Sequence, residues 1–360
     1  MNILVTGGAG YIGSHACKAL AAAGHTPVVY DVLDRGHAWA VKWGPLERGD
    51  ICDAARLEQV FAQYRPAAVM HFAALAYAGE SVQQPERYRR VNVEGTRTLL
   101  EAMRFAGVTQ MVFSGSCSVY GDAAVQPITE SAPRQPVSPY GQTKHAGELL
   151  LEEAARDWGL RSASLRYFNA SGADPDGELG EDHTPETHLL PLVLEVAAGK
   201  RPHIEVFGSD YPTPDGTCVR DYIHVCDLAD AHVRALTKVT KGDAPHSSKG
   251  TLPIDCDAPQ LSKGSSPVEA HSSKGSVPFE APFEAYNLGT GKGHSVLEVI
   301  ETAQRVTGRP IKLVMKPRRP GDPAVAYADA SLARRELGWT PRYPALETIL
   351  GHAWAWMQSR

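Results

Sequence analysis

The segment from residue 3 to residue 13, ILVTGGAGYIG, constrains the fold of this chain more than any other. Its apolar run predicts a buried strand, and Gly7, Gly10 and Gly13 follow with GxxGxxG spacing at the start of a predicted helix. Such glycines allow a tight turn and let a pyrophosphate approach the N–H groups of the helix N-terminus. The segment therefore predicts a dinucleotide-binding turn; glycines that serve only to turn the chain are the alternative.

Asp31 ends the second predicted strand, about eighteen residues after Gly13. A carboxylate there is placed to accept hydrogen bonds from both hydroxyls of an adenosine ribose, which favours NAD over NADP. Arg35 and His37 lie nearby in the sequence and keep NADP open as an alternative.

Apolar runs alternate with helical patterns through the first half of the chain. The runs lie at 3–5, 27–30, 67–72, 110–113 and 162–167, and the helices at 14–23, 53–64, 86–106 and 138–158. This alternation predicts an α/β fold with a Rossmann-like, doubly wound parallel sheet. The less regular second half predicts a smaller mixed α/β domain.

Residues 241–283 differ from the rest of the chain in composition. The sequence HSSKG occurs at 246–250 and again at 271–275, in a stretch rich in Ser, Lys, Gly and Pro. Such a segment buries too little apolar surface to offset the entropy of ordering. We predict a low-complexity, disordered insertion; a partner-binding segment is the alternative.

Composition excludes several classes of partner. The chain has 36 basic and 41 acidic residues and a net charge of -5, which argues against a strongly cationic nucleic-acid binder. It contains no apolar run of the roughly 18 residues that a membrane helix requires. The six cysteines form no CxxC pair or zinc-like cluster, so no metal site is predicted and a reducing cytoplasm is the expected location.

Tyr140 and Lys144 are four residues apart on the predicted helix 138–158, so their side chains share one face. A free tyrosine has a pKa of about 10 and is a poor base at neutral pH. A nearby ammonium and a cationic nicotinamide would both lower that pKa and make proton transfer possible. The pair therefore predicts a catalytic site; an ordinary surface pair is the alternative.

Ser116 lies in the segment 114–121 (SGSCSVYG), which follows a predicted buried strand. Its hydroxyl is therefore expected at the carboxyl edge of the sheet, where open α/β sheets bind ligands. A hydroxyl at that edge is suited to hydrogen-bond a reacting sugar oxygen. Simple turn chemistry after a strand is the alternative.

Through the glycine turn, the Tyr140–Lys144 pair and the Ser116 segment, the chain resembles the extended short-chain dehydrogenase/reductases. Among them, it is most similar to the UDP-glucose 4-epimerase family. The resemblance covers nearly the whole chain except 241–283. The matching stretches are HFAA at 71–74, GESV at 79–82, SPYG at 138–141, LRYFN at 165–169, GED at 180–182, VRDYIHV at 219–225, YNLG at 286–289 and RRPGD at 318–322.

This resemblance implies that the chain interconverts UDP-glucose and UDP-galactose through a transient 4-keto sugar and enzyme-bound NADH. Tyr140 would take the proton of the sugar 4-hydroxyl, and Ser116 would hydrogen-bond the reacting oxygen. Lys144 would lower the pKa of Tyr140 and orient the cofactor ribose. The keto sugar, anchored by its UDP, would turn over before it is reduced on its other face.

Further contacts follow from the resemblance, position by position. The implied cofactor contacts are Tyr11 and Ile12 at the phosphate loop, Asp50 and Ile51 around the adenine, and Phe72, Ala73, Ala74, Asn92 and Phe168 along the cleft. The implied UDP-sugar contacts are Asn169, His188, Leu189, Phe207, Arg220, Arg319, Asp322 and Ala326. Residues 1–168, with 219–239 packed against them, would form the NAD-binding domain, and 169–360 the nucleotide-sugar domain. A homodimer through helices 86–106 and 138–158 is also implied.

Departures from the family pattern leave the sugar open. Some members carry a bulky tyrosine where Ala326 aligns, and a small residue there would leave room for an N-acetyl group. His188 replaces an asparagine of some members, Val32 follows Asp31 in place of an Asx residue, and Ala76 replaces a lysine. Since Ala76-Tyr77 and residues 216–220 also resemble UDP-arabinose (UDP-xylose) 4-epimerases, a pentose substrate is an alternative.

Two other functions are weaker alternatives. A nucleotide-sugar 4,6-dehydratase of the same fold has an Asp-Glu pair just after its active-site Ser or Thr, whereas Cys117-Ser118 stands here. A non-catalytic NAD-binding regulatory protein would not need Ser116, Tyr140 and Lys144 together.

Overall fold

The structure is a computed structural model that describes residues 1–240, 282–319 and 321–360. The predicted insertion 241–283 lies outside the described residues, apart from its last two positions. Within the three described ranges, no helix combines the length and the apolar character that spanning a bilayer requires.

The described residues form thirteen strands and eleven α-helices. The strands are β1 Asn2–Thr6, β2 Thr26–Asp31, β3 Leu46–Arg48, β4 Ala68–His71, β5 Gln110–Ser114, β6 Arg161–Tyr167, β7 Asn169–Ser171, β8 Ile204–Phe207, β9 Val219–His224, β10 Phe283–Leu288, β11 Gly293–Ser295, β12 Leu313–Lys316 and β13 Val325–Ala326. The helices are α1 Tyr11–Ala22, α2 Ala54–Tyr64, α3 Ala78–Gln83, α4 Pro85–Arg89, α5 Gly95–Ala106, α6 Pro139–Trp158, α7 Leu189–Ala197, α8 Val225–Thr240, α9 Val296–Thr307, α10 Ser331–Leu337 and α11 Leu346–Gln358.

The main sheet has seven strands in the order β10-β6-β5-β4-β1-β2-β3, and every pairing in it is parallel. The α/β, Rossmann-like fold predicted from the sequence is therefore confirmed. The chain runs outward from β1 through β2 to β3, then returns to start β4 on the other side of β1. Ligands of such sheets bind where the strand order reverses, which places the expected crevice at the carboxyl ends of β1 and β4.

Two apolar layers cover the main sheet. One contains buried side chains of α1 and α8, and the other contains those of α2, α5 and α6. Helix α1 starts at Tyr11, earlier than the predicted residue 14, because Gly10 already has extended backbone angles and stands directly before the first turn.

Strand β10 corrects the predicted boundaries. It pairs with β6 from Phe283↔Ser162 to Leu288↔Tyr167, so residues beyond 168 complete the sheet. The Ser162 N–H donates to the Pro282 carbonyl at 2.9 Å, so residues 282 and 283 belong to the fold and not to the insertion. The short sequence FEAYNL shows no clean alternation, which is why the sequence did not reveal this strand.

The predicted helix 86–106 is divided. Between α4 and α5, residues Arg90–Glu94 form a π-helical turn that contains Asn92. A π turn carries one extra residue and often occurs at functional sites. The described part of the second half contributes the smaller sheet β11-β9-β13, with β7 added to β9, and the separate pair β12-β8. Helices α7, α9 and α11 enclose its apolar core.

A buried ion pair joins α6 to β6 one turn beyond Lys144. The Glu148 carboxylate accepts from Arg166 Nε and Nη2, both at 2.7 Å, and from the Ser164 hydroxyl at 2.8 Å. Glu148 is fully buried and Arg166 is 4% exposed. This network fixes the position of α6, and with it Tyr140 and Lys144, against the sheet.

We expect Glu148→Ala to lower the free energy of unfolding by about 3–5 kcal/mol, because it leaves the Arg166 guanidinium buried without its partner. Glu152→Ala is the matched control, since Glu152 is 25% exposed and forms an ion pair with Arg134 at 2.8 Å; it should cost no more than about 1 kcal/mol. Urea denaturation of both variants measures the difference. Equal losses would contradict the assigned role of Glu148.

Candidate active site

The turn after β1 requires its glycines. Gly7 has a φ of 73°, and a Cβ built on it would lie 2.5 Å from the Ala73 nitrogen. A Cβ on Gly13 would lie 2.2 Å from the Gly7 carbonyl oxygen, and one on Gly10 would lie 3.3 Å from the same atom. The turn is therefore folded back on itself and pressed against the end of β4, as the spacing predicted.

The N-terminus of α1 is free to bind an anion. Gly10 supplies no side-chain cap, and Tyr11 and Ile12 belong to the first turn, whose N–H groups have no intrahelical acceptor. These N–H groups, with the positive end of the helix dipole, form a site suited to phosphate oxygens. The residues present thus fit a dinucleotide pyrophosphate. The Tyr11 hydroxyl points elsewhere and donates to the Gly172 carbonyl at 2.6 Å.

Asp31 lies at the end of β2 beside this turn. Its carboxylate accepts from the Ala9 N–H at 3.0 Å and from the Leu33 N–H at 2.8 Å. Burial raises the pKa of Asp31, and these backbone donors oppose that rise. A carboxylate held in this way at the end of β2 fits the ribose-binding role that the sequence predicts.

The predicted adenine contacts follow β3. The Asp50 carboxylate accepts from the Cys52 N–H at 2.9 Å, and its carbonyl accepts from the Tyr30 hydroxyl at 2.8 Å. Ile51 is 4% exposed and packs so tightly on Gly95 that a Cβ there would lie 2.6 Å from its Cδ1. These contacts connect the segment to β2 and to the start of α5.

The segment after β4 borders the glycine turn. The Phe72 and Ala73 N–H groups both donate to the Thr6 carbonyl, at 2.8 and 3.0 Å. The next residues, including Ala74, are held by Asn92, whose amide accepts from the Leu75 N–H at 2.8 Å and donates to the Leu75 carbonyl at 2.9 Å.

Asn92 also donates to the Thr143 hydroxyl at 3.0 Å. All of these bonds are buried, so the side chain of Asn92 ties the end of β4 to helix α6. The π turn at residues 90–94 thus places this amide between two parts of the site that are far apart in the sequence.

Ser116 and Tyr140 meet at the carboxyl edge of β5. Ser116 precedes the short 3₁₀ helix Cys117–Tyr120 and accepts from the Ser118 N–H at 3.2 Å. The Ser116 hydroxyl also lies near the Tyr140 phenol and lowers the pKa of that phenol. At the base of α6, the Tyr140 N–H donates to the Ser81 hydroxyl at 3.1 Å, a contact that the sequence did not reveal.

Lys144 is 4% exposed and donates to the Ser114 carbonyl at 2.9 Å. Its Nζ lies 6.0 Å from the centroid of the Tyr140 ring, so the predicted pair does converge. Burial lowers the pKa of Lys144 to about 8, although the nearby Glu148 carboxylate raises it.

The predicted lowering of the Tyr140 pKa by Lys144 is not produced by the protein's own groups. Burial raises the pKa of Tyr140 to about 12 and outweighs the lowering by Ser116. The physical reason is that the ring is enclosed, and a phenolate there would lose its hydration while the ammonium lies 6.0 Å from the ring centroid. A further positive charge must act on the phenol before it can serve as a base at neutral pH.

Two groups predicted to bind the diphosphate end lie close together. Arg220 on β9 donates from Nη2 to the Asp322 carboxylate at 2.7 Å, and it is 14% exposed. The Arg319 guanidinium lies over the Phe207 ring at 3.8 Å from its centroid. Four predicted residues thus form two pairs, Arg220 with Asp322 and Arg319 with Phe207. The guanidinium groups of both pairs suit bidentate binding of phosphate.

The remaining predicted substrate contacts surround this region. Asn169 donates to the Asp221 carbonyl at 3.1 Å, and Leu189 opens helix α7. Ala326 is 8% exposed, pairs with Arg220 across β13 and β9, and belongs to the same buried cluster as Phe168.

His188, which is predicted to contact the substrate, also has partners within the protein. Its Nδ1 lies 2.6 Å from a carboxylate oxygen of Glu181 and 3.3 Å from one of Glu186, so its nearest partners are protein carboxylates. These carboxylates raise the pKa of His188 to about 10 and that of the neighbouring His183 to about 9, against the effect of burial.

The fold and this arrangement define a dinucleotide-binding α/β enzyme with a Ser/Tyr/Lys site at the sheet edge. Residues 3–248 match the model of the NAD dependent epimerase/dehydratase family, and the chain belongs to that family. A UDP-glucose 4-epimerase of Rhizobium meliloti is 45% identical over 359 residues, which cover 100% of this chain and 98% of the relative.

Two solved structures are similar over nearly their whole length. The UDP-glucose 4-epimerase of Brucella ovis in complex with NAD is 45% identical, with a TM-score of 0.86, and the match covers 98% of this chain and 97% of that one. The Bifidobacterium longum UDP-glucose 4-epimerase in complex with NAD⁺ and UDP is 36% identical, with a TM-score of 0.84 and coverage of 100% and 99%.

We expect Gly13→Ala to reduce the NAD retained by the purified chain at least about tenfold, because the new methyl would collide with the Gly7 carbonyl and displace the phosphate turn. Gly351→Ala is the matched control: it lies inside α11, and a Cβ there meets nothing within 4 Å. Chromatography of the nucleotide released on denaturation gives the occupancy. Full occupancy in Gly13→Ala would contradict the assigned packing.

Proposed function

We propose that this chain is a UDP-sugar 4-epimerase that interconverts UDP-glucose and UDP-galactose. One observation carries the proposal: Ser116, Tyr140 and Lys144 converge at the carboxyl edge of the sheet, on β5 and α6, in a sheet whose glycine turn presents a phosphate-binding helix N-terminus. The full-length similarity to UDP-glucose 4-epimerases supports the same reaction.

NAD is the cofactor of this enzyme, and when bound it supplies the reversible oxidation and reduction of sugar carbon 4. The N–H groups of Tyr11 and Ile12 would hold its pyrophosphate, and Asp31 its adenosine ribose. Phe72 and Ala73, held by their backbone bonds to Thr6, and the adjoining Ala74 would border the cofactor. A single bound cofactor can serve both halves of the reaction, because epimerisation requires no net oxidant.

Tyr140 is the proposed acid and base. Its phenol would take the proton of the 4-hydroxyl as the 4-keto sugar forms and return it to the same oxygen after the sugar has turned. Ser116, which lies near that phenol, would hydrogen-bond the reacting oxygen. Lys144 retains its ammonium charge at pH 7, since its pKa of about 8 lies above that value, and this charge favours the phenolate.

The diphosphate of the substrate would bind Arg220 and Arg319. Each guanidinium is already oriented, one by the Asp322 carboxylate and the other by the Phe207 ring. Anchoring through UDP leaves the sugar free to present either face to the site.

Ala326 supports UDP-N-acetylglucosamine as a further substrate. Its small side chain shares a buried cluster with Phe168 and would leave room for an N-acetyl group. Turnover assays with UDP-galactose, UDP-N-acetylgalactosamine and UDP-xylose side by side give the preference. We keep the cytoplasm as the proposed location, on the sequence pattern of the cysteines.

We expect Tyr140→Phe to lower kcat by about 10²–10⁴-fold, because the ring keeps its packing and loses the group that carries the proton. The variant should retain NAD. Tyr64→Phe is the control, since Tyr64 ends α2 and its phenol bonds Glu47 on β3, away from Ser116 and Lys144. Coupled measurement of UDP-glucose formed from UDP-galactose gives both rates. Unchanged turnover in Tyr140→Phe would remove Tyr140 from the mechanism.

A homodimer is the proposed assembly, through the helices α5 and α6. Phe105 at the end of α5 is 83% exposed and Leu149 on α6 is 46% exposed, so both helices carry apolar side chains suited to a second copy. Sedimentation should show a dimer that Phe105→Asp weakens. Val125→Asp, at an equally exposed loop position, should leave it intact. A monomeric parent chain at micromolar concentration would contradict the proposal.

A further inference from the structure

We propose that Glu181, His183, Glu186 and His188 form a binding site for one divalent transition-metal ion of the Zn²⁺ type. Each of the four side chains offers a ligand atom, and these atoms all lie within 4.8 Å of one another. The cluster lies between β7 and α7, outside the Ser/Tyr/Lys site, and the inference does not depend on the proposed reaction.

The distances within the cluster match a tetrahedral metal site. Zn–N and Zn–O bonds of about 2.0–2.2 Å place neighbouring ligand atoms of a tetrahedron about 3.3–3.6 Å apart. His183 Nδ1 lies 3.2 Å from an oxygen of Glu181 and 3.6 Å from one of Glu186. His188 Nδ1 lies 2.6 Å and 3.3 Å from oxygens of the same two carboxylates. Three of these four distances are close to the separation expected between neighbouring ligand atoms of a tetrahedral site.

One buried carboxylate oxygen of Glu181 is shared by both imidazoles. Glu181 Oε1 lies 2.6 Å from His188 Nδ1 and 3.2 Å from His183 Nδ1, and neither contact has hydrogen-bond geometry. The Glu181 side chain is only 7% exposed. Two ring nitrogens thus crowd one buried oxygen without a well-formed hydrogen bond, and a cation between them would satisfy all three atoms.

The donor set selects the kind of ion. Two imidazoles with two carboxylates suit Zn²⁺ and its first-row neighbours, whereas Mg²⁺ and Ca²⁺ prefer oxygen ligands alone. The cysteine pattern predicts no metal site, and the spacing ExHxxExH of residues 181–188 was the signal that could have revealed one.

A second acidic cluster provides a contrast. Asp174, Asp176 and Glu178 also converge, but the Lys18 ammonium lies between them at 2.8, 2.7 and 2.7 Å. A protein cation thus already occupies the centre of that cluster. The Glu181 cluster has no lysine or arginine among its ion-pair partners within the described residues.

The proposed ion would fix a loop at the edge of the cofactor cleft. The His183 ring lies edge-on to the Tyr11 ring, with centroids 6.1 Å apart, and Tyr11 opens the phosphate-binding helix. At the other end, His188 directly precedes Leu189, the first residue of α7. Coordination would therefore join the phosphate turn to the start of α7. His188 is 46% exposed, which gives the ion a route from solvent.

Calorimetric titration of Zn²⁺ into the full, tag-free chain after dialysis against EDTA tests the proposal directly. We expect one saturable site per chain, at least about 100-fold weaker in His183→Gln and in Glu181→Gln, since each removes a ligand. Asp176→Asn, from the cluster that Lys18 fills, is the matched control and should bind like the parent chain. Bound NAD and circular dichroism report whether each variant is folded.

Titration of the parent chain decides the question even if a variant fails to fold. Co²⁺ bound at the same site should give the visible absorption of a tetrahedral ion, and Zn²⁺ should abolish it. Absence of saturable Zn²⁺ binding, or equal binding by folded His183→Gln, would overturn the proposal. The cluster would then be a network of protonated imidazoles and carboxylates.

Discussion

The Thr6 carbonyl, which accepts from the N–H groups of Phe72 and Ala73, is the contact on which the rest of the site depends. It closes the ends of β1 and β4 at the point where the strand order reverses. Gly7 must follow without a side chain, because a Cβ would lie 2.5 Å from the Ala73 nitrogen. From this junction the chain enters α1, whose first N–H groups are available to phosphate. On the other side of the junction, Asn92 holds the segment that follows β4 against α6.

Burial favours the uncharged form of both Tyr140 and Lys144. It raises the pKa of Tyr140 to about 12 and lowers that of Lys144 to about 8. An enclosed phenol and an enclosed ammonium are thus both destabilised as ions. The network of Glu148 and Arg166 holds the helix that carries both, so the stability of the fold and the position of the proton-transferring group are linked.

Local patterns were predictable from the sequence, and long-range contacts were not. The glycine spacing, the strand before it and the Tyr140–Lys144 face follow from short-range geometry, and the structure brings them together as expected. The strand Phe283–Leu288 could not be recognised, because a short mixed sequence becomes a strand only beside β6. The partners of His188 depend on a loop whose shape no periodicity encodes. The raised pKa of Tyr140 likewise reflects burial, which a sequence pattern does not measure.

Transfer of hydrogen at sugar carbon 4 tests the central claim most directly. The purified chain, without added NAD, is incubated with UDP-galactose that carries deuterium at that carbon, and the UDP-glucose formed is analysed by mass spectrometry and NMR. The account predicts many turnovers per chain with the deuterium retained at carbon 4, because Tyr140 exchanges only the proton on oxygen. Loss of the deuterium to solvent, or no turnover by a chain that holds its full complement of NAD, would contradict it.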